Sequence, residues 1–429
     1  MNLISKEHIH RKIRDILPPG HVKIFLEKSS LLGDGSQLRC DTHVVEEVVR
    51  QIHEEKIDYV FVSAKTYFNQ SVLARKLTAR GFKCISVSLV PRKASSRDTA
   101  FENVYHLSIV EMINVMQKTK TTIFSQGWLF RHCINVALDL FKSGNTHFVD
   151  LMDLNSFWFP EGVNVRLDLI KKCWGDDALQ NNAMQRWCER YLLKNADRIY
   201  FPGSSRHIES LGLDQQELGR RYFINHPIIK DMFVDNPCSD GLVFAGGVPP
   251  FDERRVPEIF GDAQLVSTFV KFLKNEYHGR LDAYNNPYLL PLEDYERAYR
   301  PHFELMTAFP NYRFLRGFEG NELRERLARY AVGLMVYNFK GNIIGPQHFR
   351  NMIPTKFYLY LEAGLPIAIS EEWEEASLLV KKHEIGLVLR QNELPYLPEI
   401  IKEVDLDALS FNVKQFRQSL YQTSLTYLQ

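Results

Sequence analysis

Between Tyr312 and Ser370 the chain alternates short apolar runs with stretches of helical spacing. Arg313 to Phe318 reads as a strand that ends in a turn at Gly317. Glu322 to Tyr330 sets Leu323 and Leu327 one turn apart, as an amphipathic helix does. Val332 to Tyr337 is continuously apolar, which suits a parallel strand buried on both faces. Pro354 fits the first turn of a helix, where its missing N–H costs nothing. Gly364 closes that helix, and Leu365 to Ile369 supplies the next strand. Such alternation builds a parallel sheet with right-handed crossovers. Ligands of these sheets bind at the carboxyl ends of the strands. Gly317, the loop from Asn338 to Met352 and the helix start at Pro354 all fall on that edge.

The first half repeats the pattern. Strands are expected at Val22–Leu26, Tyr59–Ser63, Lys83–Leu89, Thr122–Ser125, His147–Leu151, Arg198–Phe201 and Tyr222–Ile224. Helices are expected at Thr42–His53, Phe68–Arg80, Leu129–Phe141, Ala183–Asn195 and, capped by Ser204, as far as Leu211. Residues 1–20 read as a basic amphipathic helix with Ile9, Ile13, Ile16 and Leu17 on one face. That face either packs on its own domain, the simpler reading, or rests on anionic lipid. His226 to Asp240, with Pro227 and Pro237, reads as the hinge. Leu242 to Ala245 opens a second sheet. Residues 285–301, rich in Asn, Pro and Tyr, read as an inserted loop, and Leu406 to Leu428 as a final helix.

Composition narrows the class. A length of 429 residues suits two domains. The 53 Lys and Arg balance 52 Asp and Glu, which argues against a nucleic-acid partner. Six cysteines stand without a CxxC pair, so no zinc or redox motif is supported. Free thiols suit the cytoplasm. The 14 histidines form no HExxH motif, and no metal site is assigned.

The carboxyl-terminal half resembles GT-B glycosyltransferases, above all bacterial polysaccharide enzymes of the family-four-like group. The resemblance rests on AVGLMVY, on Pro354–Thr355–Lys356 and on YLEAGLPI, from Tyr360 to Ile367. It implies an α/β fold of two Rossmann-like parallel-sheet domains facing a cleft. Residues 1–230 would bind the acceptor and 231–405 the nucleotide sugar. The helix in 406–429 would cross back onto the first domain. The Gly246–Gly247 pair after LVFAG matches the family's glycine loop, and glycine lets backbone N–H groups approach a diphosphate. Arg254 or Arg255 would reach the phosphates. Lys356 in a helix first turn adds a point charge to a terminus that already favours anions, and Thr355 is placed to donate beside it. Arg316–Gly317–Phe318 matches the turn that reads the base, and Tyr337 would face the same crevice.

In HFVDLMDL, Asp150 and Asp153 end a strand and match the D-x-x-D segment of related enzymes. A carboxylate there would deprotonate a sugar hydroxyl, Asp153 being the better placed of the two. One departure stands out. The family's ribose-binding Glu falls on Leu359 here, and its partner Glu is missing. Glu362, one turn later, either substitutes or is solvated. The loss favours an inverting mechanism with one base. The resemblance therefore implies a metal-independent hexosyl or related transferase, without cofactor, acting on a UDP- or GDP-sugar. Its acceptor would be a glycan or lipid-linked acceptor of surface polysaccharide synthesis, at the inner face of the membrane. A sugar-nucleotide epimerase of the same fold and a catalytically silent partner are the alternatives.

Overall fold

In the computed structural model, residues 3–31, 40–63, 68–90, 100–127, 129–159, 171, 175–236, 240–251, 265–275, 279–286, 292–318, 320–337 and 345–426 are described. They divide into two units, up to Asn225 and from His226 onward. The first holds strands β1 Tyr59–Ser63, β2 Cys84–Ser88, β3 Val104–His106, β4 Thr122–Gly127, β5 Thr146–Leu151, β6 Arg198–Phe201 and β7 Tyr222–Ile224. Their order is β3-β2-β1-β4-β5-β6-β7, every pair parallel. Every residue of β2 is buried, Ser86 and Ser88 included, as in a parallel strand covered on both faces. Helices make the crossovers. Thr42–Glu54 begins at Asp41, whose carboxylate accepts from the His43 and Val44 N–H groups, and it buries Val45, Val48 and Ile52.

The amino-terminal helix, Lys6–Ile16, packs its apolar face inward. Ile9, Ile13 and Leu17 are buried in the core of the first unit, and Lys12 lies 4.7 Å over the Phe141 ring. Val22–Leu26 is not a strand. It belongs to a helix, Pro19–Lys28, which opens on Pro19 and buries Ile24, Phe25 and Leu26. A five-residue apolar run is too short for its periodicity to separate the two. β3 and the helix Ile109–Lys118 carry no sequence expectation. That helix starts at a Ser108–Glu111 capping box.

The second unit holds β8 Leu242–Gly246, β9 Leu281–Asn285, β10 Tyr312–Arg316, β11 Val332–Met335, β12 Ile367–Ser370 and β13 Gly386–Leu389. Their order is β10-β9-β8-β11-β12-β13, again all parallel. Residues 285–301 are not a plain inserted loop. Asn285 ends β9, and Leu292–Ala298 and Arg300–Ala308 are helices. Two tyrosines of this stretch are core: Tyr295 and Tyr299 pack on Phe314. Within the second unit the last helix, Leu406–Thr426, packs on the helices Thr355–Glu362 and Glu374–His383. Among the described residues no helix is long and apolar enough to cross a membrane.

Candidate donor site and carboxylate pair

The helix Thr355–Glu362 sets the geometry of the second unit's strand edge. Pro354 caps it and Thr355 is exposed at its first position. Lys356 and Tyr360, four residues apart, share a face. β8 and β11 pair only at Leu242–Val332 and Val243–Gly333. Beyond that, the Tyr360 hydroxyl bridges the two strands, accepting the Ala245 N–H at 2.8 Å and donating to the Leu334 carbonyl at 3.0 Å. Gly333 makes room: a Cβ there would stand 2.7 Å from the Tyr360 ring.

With Tyr360 fixed, Lys356 is carried to the end of β8. A Cβ at Gly246 would stand 2.8 Å from its Nζ. The ammonium lies 4.3 Å over the Phe244 ring and 4.4 Å over the Tyr337 ring, and it donates to the Tyr337 hydroxyl. The residue as a whole keeps some exposure, but its charged end sits among aromatic rings. Burial there pulls its pKa down to about 7.

Asn285 binds the neighbouring turns together. It is the register partner of Gly246 on one side and Arg316 on the other. Its Oδ1 accepts the Val248 N–H at 2.8 Å, just past Gly247, and its carbonyl accepts the Gly317 N–H at 2.6 Å. Around Gly247 the backbone is open to an added Cβ. Phe318 lies beside Tyr284 at 6.1 Å and under the Arg326 guanidinium at 3.8 Å. At the Tyr337 backbone, Ser370 Oγ accepts the N–H at 3.0 Å and Gln391 Nε2 donates to the carbonyl at 2.6 Å. The structure thus gathers Gly246, Tyr337, Pro354 and Lys356, with Gly317 tied to Gly246 through Asn285. Arg254 and Arg255 lie outside the described residues.

Glu362 is corrected. It is neither solvated nor free to take the part of the missing ribose ligand. Its fully buried carboxylate receives Arg324 Nε at 2.7 Å and the Ile229 N–H at 2.9 Å. Asn285 and Tyr360 were missed in the sequence. Asn285 had a signal, since it closes the run LDAYN before Asn286–Pro287. Tyr360 had one too, four residues after Lys356.

In the first unit Asp150 lies inside β5 and Asp153 two residues past its end. Asp150 is 1% exposed and Asp153 9%. Burial pushes Asp150 up to about 7, against the help of Asn225 Nδ2 donating at 3.2 Å, and Asp153 raises it further. Burial also pushes Asp153 up to about 6, while the Trp158 indole and His132 favour its charged form. His132 Nε2 lies 2.9 Å from the Asp153 carbonyl and 3.2 Å from Glu189 Oε1. Glu189 in turn accepts from the N–H groups of Asn155 and Ser156 and from Ser156 Oγ at 2.6 Å. His132 and Glu189, unread in the sequence, therefore pin the chain at and after Asp153.

No family model matches the chain, and no curated protein matches it in sequence. Solved structures do. A mutant O-GlcNAc transferase from Thermobaculum terrenum is 12% identical, with 99% of this chain and 80% of that one covered and a TM-score of 0.51. Anabaena HepE in complex with UDP is 9% identical, with 86% and 97% covered and a TM-score of 0.54. The chain has the GT-B glycosyltransferase fold. In this chain the glycine turn after β8 and the lysine-bearing helix after β11 come together.

Proposed function

We propose that this chain is a metal-independent glycosyltransferase that moves a hexosyl or related sugar from a UDP- or GDP-sugar to a glycan or lipid-linked acceptor. The observation that carries this reading is the meeting of Lys356 with Gly246 at the carboxyl-terminal edge of the second sheet. The UDP bound by HepE favours uridine. Lys356 and the helix terminus behind it offset the charge of the leaving diphosphate. Gly246 and Gly247 let backbone N–H groups approach it, and the turn at Gly317 holds the base. Arg254 or Arg255 completes the diphosphate contacts. Asp153 takes the proton from the acceptor hydroxyl, and its pKa of about 6 leaves it ionised yet basic near neutrality. Leu359, where the family has its ribose Glu, supports inversion. The setting would be surface polysaccharide synthesis at the inner face of the membrane.

Titration calorimetry with a panel of sugar nucleotides tests the reading. A UDP- or GDP-sugar is expected to bind, and Lys356→Ala to weaken diphosphate-bearing nucleotides more than the free nucleoside. Equal losses for both would remove the lysine from the phosphate site.

A further inference from the structure

The turn that carries Asp153 is held by side chains of two helices. Helix Ala178–Asn195 supplies Glu189, fully buried, whose carboxylate accepts the Asn155 and Ser156 N–H groups and the Ser156 hydroxyl. Helix His132–Leu140 supplies His132, also fully buried. Both neighbours of its Nε2, the Asp153 carbonyl and Glu189 Oε1, are acceptors, so Nε2 bears a proton. The ring sits tightly. A Cβ on Gly127, the last residue of β4, would stand 2.8 Å from its Nδ1. Between Gly127 and His132 the chain is strained. Phe130 has a φ of 63°, a left-handed conformation that is uncommon outside glycine. Such strain persists where the surroundings over-determine it, and here they do. The Phe130 N–H donates to Asn155 Oδ1 at 3.1 Å, and its carbonyl accepts from Gln185 Nε2 at 2.9 Å. Gln185 Oε1 also accepts the Cys133 N–H at 3.1 Å. Gln185 and Glu189, four residues apart, share one face of their helix. That face locks the turn after β4 against the turn after β5.

Holding a turn does not require ionisable groups. A buried carboxylate set against an imidazole is often no more stabilising than apolar packing of the same volume. What such a pair adds is a fixed position and a contact sensitive to charge, and both converge on Asp153. We propose that His132 is a positioning residue for Asp153 and that Glu189 orients the His132 ring for that task. Its value for proton transfer rests on the reading of Asp153 as the base; the contact itself does not. His132 holds the main chain of Asp153. It also favours the ionised form of the Asp153 carboxyl group, against the burial that disfavours it. The other groups about Asp153 act differently. Asp150 on β5 opposes its charge, the Trp158 indole favours it, and Glu189 acts through His132. Arg186, on the helix of Glu189, donates to the Phe159 carbonyl at 3.2 Å.

Two readouts test the proposal. One is the carbon-13 titration of the Asp153 carboxyl group, identified by its loss in Asp153→Asn. The other is hydrolysis of UDP-glucose and UDP-N-acetylglucosamine, in which water stands in for the acceptor. His132→Gln places a neutral amide N–H near the position of Nε2. It should keep kcat at its alkaline plateau, while the Asp153 midpoint and the acid limb both rise by about one pH unit. His132→Leu has no donor. It should lower kcat about 10²-fold at every pH, the usual result of misplacement by about 1 Å, with KM unchanged. Glu189→Gln should lower kcat less, and add nothing when combined with His132→Leu; an added loss would overturn the part given to Glu189. An Asp153 midpoint unmoved in His132→Gln, or an unchanged kcat in a folded His132→Leu, would overturn the proposal. Where His132→Leu does not fold, or neither sugar nucleotide is hydrolysed, the midpoint in His132→Gln decides. Normal hydrolysis by Asp153→Asn would sink the base reading, while a shifted midpoint would still uphold the contact between His132 and Asp153.

Discussion

Lys356 has two tasks that pull its proton in opposite directions. Among Phe244, Tyr337 and the Gly246 backbone the ammonium loses hydration, and its pKa falls to about 7. A bound diphosphate restores the charge and raises the pKa again. Binding near neutrality should therefore take up a fraction of a proton. Affinity for a UDP-sugar, whose diphosphate diester does not titrate here, should be full below about pH 7. Above it, the loss should approach roughly tenfold per pH unit. Calorimetry in two buffers of different ionisation enthalpy reads the uptake, and identical heats in both would refute it. Asp150 has the inverse problem. Its folded pKa of about 7 lies above its unfolded value near 3.9. The folded state thus holds an extra proton between about pH 4 and pH 7, and stability is lost as pH rises through that window. Asp150→Asn keeps an acceptor for Asn225 and cannot ionise. It should raise Tm at pH 8, by up to a few kcal/mol of stability, and leave it unchanged at pH 4. Asp153→Asn should keep donor affinity and lower turnover by about 10²–10⁴-fold, the usual loss of a general base. Near-normal transfer would move the role to Asp150.

The helix Thr355–Glu362 works as an element because both its ends are held. Tyr360 stitches it to β8 and β11, and Glu362 anchors its last turn to Arg324. Arg324→Met would leave the Glu362 carboxylate buried without the Arg324 counter-charge, which costs about 3–5 kcal/mol. The double variant with Glu362→Met should recover most of that loss in urea unfolding. Failure to recover would show that the pair itself stabilises the helix. This anchor also marks where the sequence stopped being legible. The bounds of β1, β6 and β7 could be read to the residue, because continuous apolar runs between turn residues carry that signal locally. The Pro354 cap and Gly364 stop were legible for the same reason. The partner of Glu362 was not, since Arg324 stands 38 residues away on another helix, and nothing in YLEAG reports it. Val22–Leu26 and 285–301 were misread because brevity, in one case, and a polar, proline-rich texture, in the other, hid helices whose apolar faces only the assembled core explains. The meeting of Gly246 with Lys356 was foreseen from resemblance, whereas the reason for it, Tyr360 seated over Gly333, is tertiary.

At the scale of the whole molecule, the two units have separate cores. One cluster fills the first, from Ile9 to Tyr222, and two clusters line the second sheet. A ligand that binds only one unit should therefore stabilise that unit's local openings first. With UDP added, amide hydrogen exchange should slow at the carboxyl ends of β8 and β10 and in the first turn of the helix Thr355–Glu362. Asn285 makes these changes concerted, because its side chain and carbonyl hold the Val248 and Gly317 N–H groups together. Asn285→Ala should release the Val248 turn, while its backbone carbonyl still holds the Gly317 N–H, so that UDP protects the end of β8 less and binds more weakly and exchange in the first unit stays as it was. Gly246→Ala offers a sharper control. Its Cβ would press on the flexible end of Lys356 at 2.8 Å, reach the Phe244 ring at 3.5 Å and sit at a φ of +159°, so some stability should be lost while the ammonium is displaced and UDP affinity falls about tenfold or more, each tenfold being 1.4 kcal/mol of binding. Protection by UDP confined to residues before Asn225 would place the nucleotide in the first unit and overturn the donor assignment for Lys356.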